Sequence, residues 1–181
     1  MADFRSVAGS EKGFTLVEVL VVIAILLTAV AIATPSIMSY AQRYKFRGAA
    51  LEVMTALMQA RSFAARDNQT SRVDFNSAAN TFSVTVDYPL PVPDKVIFHD
   101  LSGFGNGIRL VGTLENSCGN ANRNWNNAPI NPGDTTSFTG RGTSNNASFY
   151  LENGINDDCY AVSTSINGVI RLRRYSQNSW D

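Results

Sequence analysis

The chain has 181 residues, room for one folded domain beside one long segment of another kind. Fifteen basic and fifteen acidic residues cancel, so no global charge draws it to nucleic acid. Charged residues are only 17% of the chain, against ~25% in ordinary soluble proteins, and a single histidine, His99, excludes multi-histidine metal centres.

Residues 1–13 form a short polar leader without the apolar core of a secretory signal peptide. From Phe14 to Ala33 the character reverses. Of these twenty residues only Thr15, Glu18 and Thr28 are not apolar. Twenty residues at ~1.5 Å rise make ~30 Å of helix, the thickness of a bilayer's hydrocarbon core. The exception that matters is Glu18. An acidic side chain at mid-membrane costs ~2.5–3.5 kcal/mol and usually has a partner. Near a helix start the dipole lowers that cost. The residues alone therefore leave two readings, a signal anchor with one tolerated acid and a helix whose acid meets a cation.

The run Gly13-Phe14-Thr15-Leu16-Val17-Glu18 resembles the class III signal of type IV pilins and type II secretion pseudopilins. The resemblance covers residues 9–36. It implies that a prepilin peptidase cleaves between Gly13 and Phe14 and methylates the new amino group of Phe14. It maps the family's glutamate onto Glu18 and its helix-bending proline onto Pro35. It also implies the neighbours of such a chain: other pilin or pseudopilin subunits, an inner-membrane assembly platform, membrane lipid, and no cofactor. In an assembled bundle the Glu18 carboxylate would need a positive partner, and the amine of Phe14 in an adjacent subunit could supply it. Basic residues flank the apolar run on both sides, Arg5 and Lys12 before it and Arg43, Lys45 and Arg47 after it. The positive-inside rule thus gives no orientation. A single-pass inner-membrane placement with residues 67–181 in the periplasm follows from the resemblance.

The helix is expected to continue past Pro35. Phe46, Ala49, Ala50, Val53, Ala56, Leu57, Ala60, Phe63 and Ala64 recur at three- and four-residue steps, one apolar stripe on a helical face. The division expected is a leader over 1–13, a membrane or filament-core helix over 14–34, an amphipathic continuation over 35–66 and a β-rich domain over 67–181. Asp67-Asn68-Gln69 reads as the stop. Gly48, poor in a helix interior, marks a place where the stripe comes close to a sheet.

Beyond residue 67 the apolar period becomes two. Arg72–Phe75 and Phe82–Val86 flank Asn76–Asn80 as a hairpin. Lys95–His99 and Ile108–Val111 are further strands, separated by the glycine-rich Gly103–Gly107, and prolines 89, 91 and 93 favour extended backbone over sheet. Residues 112–136, with seven asparagines, read as irregular. Ser148–Leu151, Tyr160–Ile166 and Val169–Tyr175 are the last strands, the final pair joined at Asn167-Gly168. The fold class is α+β, a long N-terminal helix packed on an antiparallel sheet domain. With Ala60–Arg66 running into Val73-Asp74-Phe75 and the ending Gly168-Val169-Ile170-Arg171-Leu172-Arg173, this order resembles the GspH/FimT group of minor pseudopilins.

No catalytic constellation is visible. The serines lack a nucleophile-elbow setting, and His99 reads as ordinary surface or core. Cys118 and Cys159 are the only cysteines. In an extracytoplasmic domain they would form a disulfide closing about forty residues, for roughly 4 kcal/mol in the chain-entropy model; two buried thiols are the alternative. Asn153, Asn156, Asp157 and Asp158 offer oxygens without regular calcium spacing, and a polar turn is the simpler reading. Arg171, Arg173 and Arg174 could contact phosphates, and some FimT-type minor pilins of natural transformation bind DNA through a C-terminal glycine-arginine motif. Here Val169 interrupts that motif after Gly168. DNA binding is the alternative function, and a structural subunit the preferred one.

Overall fold

The structure is a computed structural model that describes residues 13–105, 107–111, 135–154, 159–176 and 179–180. Helix α1 (Leu16–Asp67) comes first. The strands that follow are β1 (Thr70–Asn76), β2 (Thr81–Asp87), β3 (Lys95–Asp100), β4 (Ile108–Val111), β5 (Thr135–Phe138), β6 (Ala147–Asn153), β7 (Cys159–Thr164), β8 (Ile170–Ser176) and β9 (Ser179–Trp180), with a 3-10 turn at Ser102–Phe104. The described residues divide into two compact units, one ending at Ala41 and the other beginning at Gln42.

In the first unit α1 is long and apolar enough to cross a membrane, and its side chains lie exposed. Two of its hydroxyls bond within the helix. Thr28 Oγ1 donates to the Ile25 carbonyl at 2.8 Å and Thr34 Oγ1 to the Val30 carbonyl at 2.7 Å. Lipid offers no partners, so every polar group there must find one locally.

In the second unit Phe46 is the first buried helical residue, followed by Ala49, Ala50, Val53, Ala56, Leu57, Ala60 and Ala64. The preceding positions Gln42, Arg43 and Lys45 are polar and exposed. Phe63, expected in the stripe, is half-buried instead. Its ring faces the Lys95 ammonium at 4.2 Å and the Arg66 guanidinium at 5.0 Å, an arrangement that favours an aromatic face at the rim. The helix ends at Asn68, whose φ of 51° turns the chain so that the Gln69 amide donates back to the Ala64 carbonyl at 3.2 Å. An asparagine in the left-handed region is a regular helix stop. Beside it, hydrogen bonds from Arg66 and then from the Tyr88 hydroxyl hold the Asp67 carboxylate's pKa down at about 2.

Two antiparallel sheets pack with the helix. The first has the order β3-β2-β1-β5 and the second β4-β6-β7-β8-β9. Alternation sends Val73, Phe75, Phe82 and Val84 of the first sheet and Phe149, Leu151, Tyr160 and Val162 of the second into one core with the alanine-rich helix face. Small helical side chains let the sheets approach, and rings fill the space: Phe75 stacks on Phe149 at 3.9 Å, joining the sheets, and Phe46 meets Tyr160 edge-on at 4.9 Å.

Several local expectations change. The first hairpin is longer than its apolar residues suggest, pairing Thr70 with Asp87 and Asn76 with Thr81. The proline run turns rather than extends, since the Val92 amide donates to the Pro89 carbonyl at 3.2 Å. Gly48 does not face a sheet: a Cβ there would press on the Phe104 ring, at 3.1 Å, so the glycine seats the 3-10 turn. The β7–β8 hairpin is not a two-residue turn. Gly168 alone has positive φ, at 71°, and its amide donates to the Ser165 carbonyl at 2.7 Å while Ser165 donates to Val169 at 3.1 Å. That is a three-residue loop with glycine in the left-handed position. Strand β5 begins in the last two residues of the stretch 112–136 read as irregular, and it forms by pairing with β1 although Thr135–Phe138 is short and mostly polar.

Asparagines finish the sheet edges. The Asn80 side chain donates Nδ2 to the Ile108 carbonyl and accepts the Leu110 amide at Oδ1, both at 2.9 Å. It thereby takes the place of a neighbouring peptide along the outer edge of β4. Asn145 does the same for β5, accepting the Ser137 amide at 2.8 Å and donating to the Thr135 carbonyl at 3.4 Å. A primary amide carries the donor and acceptor of a peptide group, so one side chain closes two orphan edge groups. We expect Asn80→Ala to destabilise the protein by ~1–3 kcal/mol through those unpaired groups, read as a lowered midpoint in urea with faster exchange of the Leu110 amide. An unchanged midpoint would contradict the capping role.

Candidate functional site

The site begins at the Gly13–Phe14 junction. Gly13 and Phe14 precede the helix, and Phe14 is 81% exposed, so this peptide bond lies open ahead of the first turn. The helix starts at Leu16, which makes Thr15 its N-cap. The Glu18 amide donates to Thr15 Oγ1 at 3.2 Å, and the Val19 amide donates to the Thr15 carbonyl at 3.2 Å. Thr15 and Glu18 thus occupy the first and last positions of a capping box. The sequence reading passed over Thr15, although Thr-x-x-Glu before an apolar run is its signature. The consequence for Glu18 is positional. The cap fixes where the helix starts and so sets the carboxylate in the first turn, where the helix dipole favours negative charge. The side chain is exposed in the single chain. Pro35 lies inside the same helix, where it has no amide to donate.

The remaining candidates scatter. Cys159 is buried on β7; Cys118 lies outside the described residues, as do Asn156, Asp157 and Asp158, while Asn153 is buried on β6. His99 is not isolated. Its Nδ1 sits 2.8 Å from Glu52 Oε1 on the helix, and its ring stacks on Phe82 at 4.7 Å. It fastens strand β3 to α1. The three arginines do not make one basic face. Arg171 is exposed, whereas Arg173 and Arg174 are half-buried, and Arg174 shares the sheet face of Ile170 and Leu172, which pack on the core. Among the described residues no group of three or more histidine, cysteine, aspartate or glutamate side chains is arranged to hold a metal ion.

The prokaryotic N-terminal methylation motif matches residues 9–34, which include the exposed junction, the cap and Glu18. The fold matches that of the type IV minor pilin FimU of Pseudomonas aeruginosa, with a TM-score of 0.53 at 19% identity over 78% of this chain and 96% of that one. The chain has a pilin-like fold. A second crystal form of FimU gives 0.49 at 17% identity, covering 75% of this chain and 96% of that one. The minor pseudopilin EpsH of the type 2 secretion system of Vibrio cholerae gives 0.46 at 11%, covering 71% and 95%. No curated protein sequence matches significantly.

In this pilin-like chain the cap is testable by itself. Thr15→Ala should speed hydrogen exchange at the Glu18 amide about fivefold, the equivalent of a ~1 kcal/mol cap, in full-length protein in micelles, and Thr15→Ser should restore it. Equal rates in all three proteins would show that Thr15 does not hold the helix start.

Proposed function

We propose that the chain is a minor pilin or pseudopilin, a structural subunit that enters a filament rather than a catalyst. One observation carries this reading: an open Gly13–Phe14 bond inside a methylation motif stands directly before a capped apolar helix, on a domain with the pilin fold. A prepilin peptidase would cut after Gly13 and methylate Phe14. The precursor would be held in the inner membrane by residues 14–34, with residues 67–181 in the periplasm, and would be drawn from lipid into a filament of other pilin-like subunits by a membrane assembly platform. Pro35 would let the helix bend between its apolar and amphipathic parts. In the filament the Glu18 carboxylate would meet the amine of Phe14 in a neighbour and set how deeply each subunit is inserted. Cys159 would pair with Cys118 and pin the asparagine-rich segment to β7, as suits an oxidising compartment. Nothing in the structure or the comparisons favours DNA binding through Arg171, Arg173 and Arg174.

Intact-mass spectrometry of protein extracted from native membranes tests this in one measurement. The expected species begins at Phe14, is heavier by one methyl group and lighter by the two hydrogens lost in a disulfide. A mature chain that retains Met1–Gly13 in cells possessing the peptidase would overturn the reading.

A further inference from the structure

One group of charges on α1 lacks a counter-charge. Between Glu18 and Glu52 the sequence holds no acidic residue. Arg43, Lys45 and Arg47 fall in that interval, all exposed, with Tyr44 among them at 70% exposure. Among the described residues none of the three cations has an ion pair or a side-chain hydrogen bond, whereas Arg66, Arg72 and Arg109 each meet a carboxylate. The next acid along the helix, Glu52, is taken by His99 at 2.8 Å. Arg43 and Tyr44 each stand within one turn of Arg47, so a ring and two guanidiniums share one side of the helix. Their place in the chain says what they meet. From Val19 to Gln42 there are twenty-four residues and none is charged. As helix, Glu18 to Arg43 is ~37 Å at ~1.5 Å per residue. That is longer than a hydrocarbon core of ~30 Å and shorter than a bilayer with its headgroups, ~40–45 Å. A span in which both charges leave the hydrocarbon puts Glu18 in one headgroup layer and Arg43 in the other.

We propose that Arg43, Tyr44, Lys45 and Arg47 form a collar that binds the headgroups of phospholipid with a net negative charge; this rests on the membrane anchoring in the function proposed above. The cations take phosphate oxygens, to which a guanidinium presents paired donors. The Tyr44 ring lies at the boundary of headgroup and acyl chain, where tyrosine concentrates. A zwitterionic headgroup carries its own cation beside the phosphate and leaves the collar's charge unbalanced. An anionic one supplies the missing charge, about fivefold in binding for each Lys or Arg at the surface. With no acid between Glu18 and Glu52, no carboxylate of this stretch competes for the three cations. A free phosphate is the poorer occupant, because an open helix side offers it no enclosure, whereas a lipid is held beside the collar by the bilayer itself.

The test places the photo-crosslinker p-benzoylphenylalanine at the exposed position Gln42, beside the collar, in the full chain reconstituted into bilayers of phosphatidylcholine with a minor share of phosphatidylglycerol. Mass spectrometry of the adducts identifies the lipid captured. The same probe at Ile25, in the uncharged span, is the control. The proposal expects phosphatidylglycerol to be enriched about fivefold or more over its bilayer share at position 42, and not at position 25. The triple variant Arg43→Gln, Lys45→Gln, Arg47→Gln should return position 42 to the bulk ratio. So should ~1 M salt, where the screening length is ~3 Å. A bulk ratio at position 42 in the wild type, no lipid adduct there, or enrichment that survives the triple variant would overturn it. The control separates the two claims. Lipid adducts at Ile25 without enrichment at position 42 reject the collar alone. An absence of lipid adducts at Ile25 rejects the membrane anchoring, and the collar with it.

Discussion

A carboxylate inside an apolar helix needs either water or a cation, and the proposed assembly turns on that need. At mid-membrane Glu18 costs ~2.5–3.5 kcal/mol; in the first turn of a capped helix the cost is lower, because water and the dipole are both near. Thr15 holds it there. In the proposed filament the carboxylate would lose its water and would need a positive partner. Cleavage after Gly13, as proposed, would create one, the amino group of Phe14, at the same end of the same helix. Processing and assembly would then share one piece of chemistry.

The second half of the helix meets a different solvent. Between Phe46 and Ala64 the buried positions are mostly alanine, which lets the two sheets close in while Phe75 and Phe149 fill the space between them. His99 and Glu52 tie the edge strand to the helix. The domain is thus carried rigidly on the second half of α1, and what it presents outward is set by how its sheet edges end. Two of those edges, β4 and β5, are closed by asparagine amides.

Legibility followed the strength of the repeating pattern. The helix could be read almost to its ends, because the apolar run and the stripe from Phe46 each repeat on a fixed period, and Asp67-Asn68 stops the second for a local reason. Strands with alternating large apolar residues, β1, β2 and β4, were legible too. Strand β5 was not: Thr135–Phe138 has the composition of a loop, and only its partners Asp74 to Ser71 on β1 make it a strand. The roles of Asn80 and Asn145 were equally hidden, since an amide that replaces a peptide group acts across the fold and leaves no spacing in the sequence. At the site the reverse holds. The motif that holds Gly13, Phe14 and Glu18 is legible because it is local in sequence, and Thr15 was legible in principle from the capping-box spacing.

The central claim is that Glu18 is there to be neutralised by a neighbour. The most direct measurement compares wild type, Glu18→Ala and Glu18→Gln in sheared filaments from cells that also supply the other subunits, with membrane-fraction levels and N-terminal processing followed in parallel. Removing one partner of a buried pair costs ~3–5 kcal/mol. Both variants should therefore be processed and held in the membrane yet largely absent from filaments. Wild-type amounts of either variant in the sheared fraction would contradict the account.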